Sequence, residues 1–247
     1  MNLRKIMFVL FLLFAVNSIS AQTAKFKFGV KGGLNLSTAL VHDGDSKFKQ
    51  GYHIGGTVDF LLSSKVELQS GLFFSKTGAK INDENFTSIR GADLSKIKRP
   101  YSIHTYNTSY IKLPLHVAFR KSISDNLNFN IGFGTYLGYA IEGKIKEKRP
   151  GGSFGSPIVS ENGEVTWINE IEYDMFFRYR SNGKTQQRRR TEFRRFDFGA
   201  GANADIEFHK FVLGAGFEYG TNIYDTEHYG GYKYRNINIS ISTGYRF

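Results

Sequence analysis

Apolar and polar residues alternate with a period of two in eight separate runs of this sequence. In residues 127–141, for example, Leu, Phe, Ile and Tyr alternate mainly with Asn and Gly. Such alternation is typical of β-strands that have one apolar face and one polar face. The eight runs are residues 26–36, 52–62, 66–75, 111–119, 127–141, 196–207, 211–219 and 237–247.

The connections between these runs are alternately long and short. The short ones are residues 63–65, 121–126 and 208–210, and the long polar ones lie around residues 41–50, 82–101, 142–190 and 224–233. A transmembrane barrel has tight turns on its inner side and long loops outside, and its closure leaves no unpaired strand edge in lipid. The sequence therefore predicts an all-β fold, an eight-stranded antiparallel transmembrane β-barrel in an up-and-down meander, with long extracellular loops and short periplasmic turns.

The longest connection, about residues 142–190, carries two hairpin signals of its own, "ENG" at 161–163 and "SNG" at 181–183. Between them, Val165–Tyr179 alternates well enough to be a strand of a ten-stranded barrel. Its partner would be Lys144–Ser160, which contains two prolines and has four basic residues in its first half. We therefore favour a β-ribbon above the membrane, with the ten-stranded barrel as the alternative.

The first residues have the layout of a secretory signal peptide. Arg4 and Lys5 precede the apolar run Ile6–Val16, and the small and polar segment Asn17–Ala21 follows it. The run is shorter than the roughly 20 residues that span a bilayer, although a retained membrane anchor is the other interpretation. We predict a signal peptide at 1–21, or cleavage one residue earlier, and a barrel domain at 22–247 in the outer membrane.

Composition narrows the partners and the chemistry. The chain has a formal charge of +11 and no cysteine, which excludes disulfides and thiolate sites. Because an exported chain does not meet nucleic acid, its basicity favours outer membrane lipids and lipopolysaccharide. The densest basic run predicts a lipopolysaccharide contact through Arg188, Arg189, Arg190 and Arg194. The alternative is a solvated ribbon base that pairs with Glu170, Glu172 and Asp174.

The polar faces of the strands predict the content of the barrel interior. An eight-stranded barrel is just wide enough for its own side chains, and isolated charges there are costly. We therefore expect a network of internal ion pairs that plugs the barrel. Its predicted members are Asp59, Glu67, Lys112, Asp197, Asp205, Glu218 and Arg246.

Catalytic and cofactor chemistry finds little support in the sequence. His53 and His116 are expected to point into the barrel, but neither lies in a nucleophile motif, and no histidine has another at metal-ligand spacing. We predict no catalytic residue, no metal and no cofactor, so that the chain is not an enzyme. A barrel enzyme that modifies lipid A and a small-solute porin are retained as alternatives.

The last residues read "NINISISTGYRF", an alternating strand with Tyr245 and Phe247 at its end. This ending resembles the terminal signal that the outer-membrane assembly machinery reads. The alternative is an ordinary last strand of a soluble sheet.

Five segments together resemble the PorT-like outer-membrane β-barrel family of the Bacteroidota. They are "KFGVKGGLNLST", "YIKLPLHVAF", "FGTYLGYAI", "FDFGAGANADIEF" and "TGYRF". The resemblance implies an outer-membrane barrel, mostly of unassigned role. We expect a non-enzymatic structural or interaction role in the cell envelope, with loops that contact lipopolysaccharide or a partner protein. The alternative is a component of type IX protein secretion and gliding, the role of the family's namesake.

Overall fold

The computed structural model describes most of the predicted barrel domain. The described residues are 26–40, 45–83, 102–148, 152–153, 156–157, 171–176, 194–222 and 235–247. The predicted signal peptide lies outside them. Within these ranges, no helix is long and apolar enough to cross a membrane.

Eight long β-strands make up nearly all of the described chain. They are β1 (Phe26–Leu40), β2 (Lys49–Leu61), β3 (Val66–Asp83), β4 (Ser102–Ser124), β5 (Leu127–Lys148), β6 (Phe196–Phe208), β7 (Phe211–Asn222) and β8 (Arg235–Arg246). Four short strands accompany them, at Asp45–Lys47, Gly152–Ser153, Ser156–Pro157 and Ile171–Asp174. The first and last of these four pair with β3 and β5, and the other two pair with each other.

The long strands close into a ring. Each pairs antiparallel with its neighbour in the chain, and β1 also pairs with β8, from Gly29 opposite Arg246 to Leu40 opposite Arg235. Closure gives both sides of every long strand a hydrogen-bonding partner, as a sheet in lipid requires. The fold is therefore an all-β antiparallel meander of eight long strands and a short ninth one, closed into a ring.

Three tight connections lie at one end of the ring, which we call the short-turn end. They span residues 62–65, 125–126 and 209–210. In the last of them His209 has a φ of 56°, a left-handed conformation, and its ring packs edge-on against Phe208. The connections at the opposite end lie largely outside the described residues.

The two faces of the sheet are arranged as the alternation predicts. All eight long strands expose large apolar side chains outward, for example Leu34, which is 72 % exposed, and Ile241, which is 66 % exposed. Buried polar and charged side chains lie on the inner face, among them Asn35, Glu67 and Asn130. An apolar exterior around a polar interior is the reverse of a soluble protein and fits a lipid environment.

Strands β3, β4 and β5 are longer than the alternation predicts. β4 begins at Ser102 and β5 runs to Lys148, although the predicted runs began at 111 and ended at 141. These extensions continue as a sheet beyond the apolar belt, with a small cluster of Ala39, Ala79, Ile81 and Tyr106 on one face. The apolar alternation misses them because their outward side chains are polar.

The predicted ribbon appears in part. Ile171–Asp174 pairs with β5 at Lys144–Glu147, whereas β6 pairs with β5 from Tyr139 toward the short-turn end. The short strand therefore continues the position of β6 alongside β5 and, within the described residues, does not separate the two. Of the Val165–Tyr179 segment, residues 165–170 and 177–179 lie outside the described part of the chain.

Candidate functional site

Inward-facing glycines shape the interior of the ring. A Cβ atom on Gly201 of β6 would lie 2.8 Å from Nε2 of His116 on β4, and one on Gly220 of β7 would lie 2.7 Å from the hydroxyl of Tyr136 on β5. Non-bonded heavy atoms do not approach so closely without displacement. These glycines therefore leave room for large polar side chains from facing strands.

A cluster of six charges crosses the interior near the short-turn end. At its centre, Nη2 of Arg246 lies 2.7 Å from Asp59 and 3.6 Å from Glu67, and Nη1 donates a hydrogen bond to Glu207. Arg120 lies 3.7 Å from Glu67 and 3.4 Å from Glu207. We call this group, together with Lys27, the Arg246 cluster.

The Arg246 cluster is balanced in charge. Lys27 lies 3.7 Å from Glu207 and supplies the third cation opposite three carboxylates. Asp59, Glu67, Glu207 and Arg246 are all buried. Because a buried charge is tolerated only when it is paired, each member depends on the others.

A second layer of polar contacts lies farther from the short-turn end. Lys31 pairs with Asp205 at 2.6 Å, and Asn203 donates to Asp205 and to Gln69, both at 2.9 Å. Nδ1 of His116 lies 2.8 Å from the side-chain oxygen of Asn203. Because Gln69 in turn donates to Glu67, this layer is continuous with the Arg246 cluster.

Two further groups complete the interior. Lys112 pairs with Glu218, which also accepts a hydrogen bond at 2.9 Å from Asn238. Asp197 accepts hydrogen bonds from Tyr136 and Asn236, both at 3.1 Å. Among the described residues Asp197 has no cation at ion-pair distance, so it is held by hydrogen bonds alone.

The middle of the interior is not filled by side chains. A cavity of about 140 Å³ remains there, large enough for several water molecules. It is bordered by Asn35, His53, Lys112, His116, Asn203 and Glu218. An interior just wide enough for its own side chains was predicted, and the cavity departs from that prediction where small residues such as Gly216, Ser240 and Gly244 border it.

The seven predicted interior charges fall into four groups in the structure. Asp59, Glu67 and Arg246 meet in one cluster, Lys112 meets Glu218, and Asp205 and Asp197 lie apart from the other five. Four charged partners were not among the predicted interior residues: Lys27, Lys31, Arg120 and Glu207. Lys27, Lys31 and Glu207 stand at polar positions of the period-two pattern, so the same signal could have included them.

Of the four arginines predicted to contact lipopolysaccharide, only the last, Arg194, is among the described residues. Arg188, Arg189 and Arg190 lie outside the described residues, whereas Arg194 is exposed just before β6. Its neighbour Arg195 donates to the carbonyl oxygen of Ala140 at 3.0 Å and stacks over the ring of Phe176 at 4.3 Å. Arg195 therefore links the start of β6 to the ribbon.

The ribbon is also held to β5 by charges. Glu172 lies 3.1 Å from Lys144 and 3.5 Å from Lys146, on the outward face of the extension. The hydrogen bond from Lys144 lowers the pKa of the Glu172 carboxyl below its ordinary value of 4.5. The contact therefore favours the ionised carboxylate.

Acidification is expected to loosen the ribbon. A depressed pKa means that the stabilisation is fully present above the ordinary value of 4.5 and is lost as the pH falls through the lower, folded-state pKa. Amide hydrogen exchange in Ile171–Asp174, corrected for its intrinsic pH dependence, should therefore accelerate at acidic pH. Glu172→Gln should show the faster exchange already at neutral pH, and an unchanged variant would contradict the assignment.

The predicted assembly residues lie at the seam of the ring. The backbone N–H of Phe247 donates to the carbonyl oxygen of Phe28 at 2.9 Å, so the last residue extends the pairing of β8 with β1. The ring of Phe247 is 60 % exposed and lies 5.6 Å from that of Tyr245. Both aromatic side chains belong to the short-turn end.

Metal chemistry has no candidate among the described residues, since no group of three or more His, Asp or Glu side chains there is arranged to hold an ion. His53 faces the cavity and lies 2.6 Å from the side-chain oxygen of Asn35. His116 is likewise engaged by Asn203. The described interior is therefore a network of ion pairs and hydrogen bonds around a small cavity, with a few buried polar atoms, such as those of the Asn130 amide, left without a protein partner.

Comparison with known proteins gives one strong similarity and several weak ones. The family model described as "Outer membrane protein beta-barrel domain" matches residues 20–224. No curated protein is similar enough in sequence to match the chain.

The solved structures that resemble the chain include three outer membrane proteins. Ail of Yersinia pestis is 13 % identical with a TM-score of 0.36, covering 91 % of this chain and 100 % of Ail. OprG of Pseudomonas aeruginosa is 10 % identical with a TM-score of 0.37, covering 91 % and 96 %. The protease OmpT of Escherichia coli is 11 % identical with a TM-score of 0.39, covering 92 % and 99 %. These similarities are too low to carry an argument about function.

Proposed function

The chain belongs to the outer membrane protein β-barrel domain family, and on that premise we propose that it is a non-enzymatic structural or interaction protein of the cell envelope. In this proposal the eight long strands form a transmembrane barrel, with the short turns in the periplasm. The extended sheet of β3, β4 and β5 then stands outside the cell, where it contacts lipopolysaccharide or a partner protein. Export by a signal peptide at 1–21 is part of the proposal.

One observation carries the proposal, the Arg246 cluster across the barrel interior. Three cations and three carboxylates meet there, and four of the six are buried. Opening a path for solutes would break contacts that hold buried charges, which is costly. Such an interior supports a role for the outer surfaces of the barrel rather than for transport through it.

The purified protein is expected to conduct no more than small, brief currents. Planar-bilayer recording of the refolded full chain tests this, because a sealed interior excludes a steady water-filled pore. Steady porin-sized conductance would contradict the proposal and support the small-solute porin. The heat-modifiable shift in gel mobility serves as the control that the inserted protein is folded.

The role in the cell is tested with a deletion strain. The envelope role predicts increased sensitivity to detergent and large antibiotics with normal export of secreted proteins. The PorT-type alternative, which rests on the sequence resemblance alone, predicts loss of type IX secretion or gliding with an intact barrier. A changed lipid A mass spectrum in the deletion strain would instead favour a lipid A-modifying enzyme.

A further inference from the structure

The outward face of the barrel changes from apolar to polar along one row of paired residues. Ile54, Phe74, Ile111 and Tyr139 form the last apolar row across β2, β3, β4 and β5. The next outward row is Tyr52, Lys76, Ser109 and Glu142. In the proposed orientation this second row marks the outer boundary of the hydrocarbon layer, where lipid head groups begin.

Above that boundary the outward face is rich in lysine. Lys47 of the short strand at 45–47 is the register partner of Lys80 on β3, and both side chains are exposed. Lys76 lies on the same face of β3, four positions before Lys80 and therefore closer to the membrane, and it is also exposed. The outward face of β3 therefore carries two exposed lysines, Lys76 and Lys80, beyond the last apolar row.

The two halves of this face differ in how their lysines are neutralised. On the β5 side, Lys144 lies 3.9 Å from Glu142 and 3.1 Å from Glu172, and Lys146 lies 3.5 Å from Glu172. On the β3 side, neither Lys76 nor Lys80 has a carboxylate within ion-pair distance among the described residues. Their outward neighbours on β4 are uncharged, Ser109 beside Lys76 and Thr105 beside Lys80.

We propose that Lys76 and Lys80 bind the phosphate groups of lipopolysaccharide in the outer leaflet. Lys80 lies four positions after Lys76 in β3, which places their Cα atoms about 13 Å apart along the strand. Two ammonium groups beyond an apolar surface match a lipid whose phosphate groups lie next to its acyl chains, because the acyl chains contact the apolar rows while the phosphates contact the lysines. Thr105 and Asn107 add uncharged, half-buried hydrogen-bonding groups on the same face.

Lipopolysaccharide is favoured over other anions by the position of the lysines. Lys76 lies in the outward row that directly follows the apolar row, so a ligand that contacts it lies at the surface of the lipid layer, and Lys80 lies farther from the membrane on the same face. The inference rests on the proposed orientation, which puts this end of the barrel in the outer leaflet.

Native mass spectrometry of the refolded full chain, titrated with purified lipid A, tests the proposal. Lys76→Gln with Lys80→Gln is expected to weaken binding of phosphorylated lipid A about 30-fold, which corresponds to ~2 kcal/mol at 298 K. Enzymatically dephosphorylated lipid A should bind the wild type and the double variant equally weakly. Unchanged affinity of the double variant for phosphorylated lipid A would overturn the proposal.

The matched control is Lys144→Gln with Lys146→Gln, which removes the same charge from the same face. Because Glu142 and Glu172 already neutralise these lysines, affinity should change less than about 3-fold. An equal loss in this control would show a general charge effect and overturn the assignment. A 30-fold loss of phosphatidylglycerol binding in the Lys76 and Lys80 variant would also overturn the assignment, because it would show that the two lysines bind any anionic lipid.

Failure of this inference and failure of the proposed function are distinguishable. The lipid A titration measures a surface of the folded barrel and does not depend on conductance or on the phenotype of the deletion strain. A conducting barrel that still binds lipid A through Lys76 and Lys80 would refute the sealed interior alone. All variants are first checked for the heat-modifiable gel shift of the folded protein.

Discussion

Replacing Arg246 by methionine is expected to lower the free energy of unfolding by about 3–5 kcal/mol at neutral pH. Arg246 is the cation that contacts all three carboxylates of its cluster, Asp59, Glu67 and Glu207. Methionine keeps much of the volume but removes the charge, so three buried carboxylates remain with only Arg120 and Lys27. Urea unfolding in phospholipid vesicles, followed by gel mobility, measures the loss.

Two comparisons separate charge balance from packing. Lys27→Met removes a cation that is 3.7 Å from Glu207 and has a quarter of its side chain exposed, so it should cost less than about 1 kcal/mol. Adding Glu207→Gln to Arg246→Met should recover part of the loss, because it removes one uncompensated charge. If the double variant is less stable than Arg246→Met alone, the cluster is not held by charge balance.

Deletion of Phe247 is expected to prevent most of the protein from reaching the outer membrane in cells. In the folded barrel its ring is 60 % exposed and its N–H makes one backbone hydrogen bond, to Phe28. Losing both should cost only about 1–2 kcal/mol of stability. If Phe247 belongs to the predicted assembly signal, the assembly machinery recognises it before the barrel forms, so no contact of the folded barrel can compensate for its loss.

The test pairs membrane fractionation in cells with refolding in detergent. The shortened chain should be degraded or remain in the periplasm, and yet fold in detergent micelles with its heat-modifiable gel shift. Phe211→Ala is the matched control, since Phe211 packs 5.4 Å from Tyr245 at the same end and is equally exposed. Normal outer-membrane levels of the shortened chain would refute the role of Phe247 as an assembly signal. Equal mislocalisation of Phe211→Ala would show that the effect comes from lost aromatic packing at this end of the barrel.

The ring of long strands follows from the sequence because lipid imposes a simple rule. Every second side chain must be apolar, so the outward residues are visible as a pattern even where glycines dilute the hydropathy. The rule no longer applies beyond the membrane, which is why most of the β3 and β4 extensions lie outside the predicted runs and the β5 extension was predicted as part of a long loop. In these extensions the polar residues Thr105, Asn107 and Lys146 face outward, so the sequence shows no alternation of apolar and polar residues there.

The interior was predictable by residue type and orientation but only partly by partnership. The polar positions of each run place Asp205 and Asp197 inside, as the structure has them. The alternation does not reveal that Asp205 meets Lys31 or that Asp197 meets Tyr136. Cross-barrel contacts depend on the register of strands that are distant in sequence. A period-two pattern determines whether a residue faces inward or outward, but not its position along the barrel axis.

By itself, the sequence determined the class of fold, the outward and inward faces of each strand and the charged character of the interior. Only the tertiary structure decided that Arg246 meets Asp59 from the other end of the chain, that glycines make room for His116 and Tyr136, and that a cavity remains beside His116. It also decided that Glu142 and Glu172 neutralise Lys144 and Lys146, whereas Lys76 and Lys80 face outward with no carboxylate at ion-pair distance among the described residues. The physical reason is that the face on which a side chain lies is set locally, by the alternation of an extended chain. Charge pairs and cavities, in contrast, arise only when ring closure places residues of distant strands at the same position along the barrel axis.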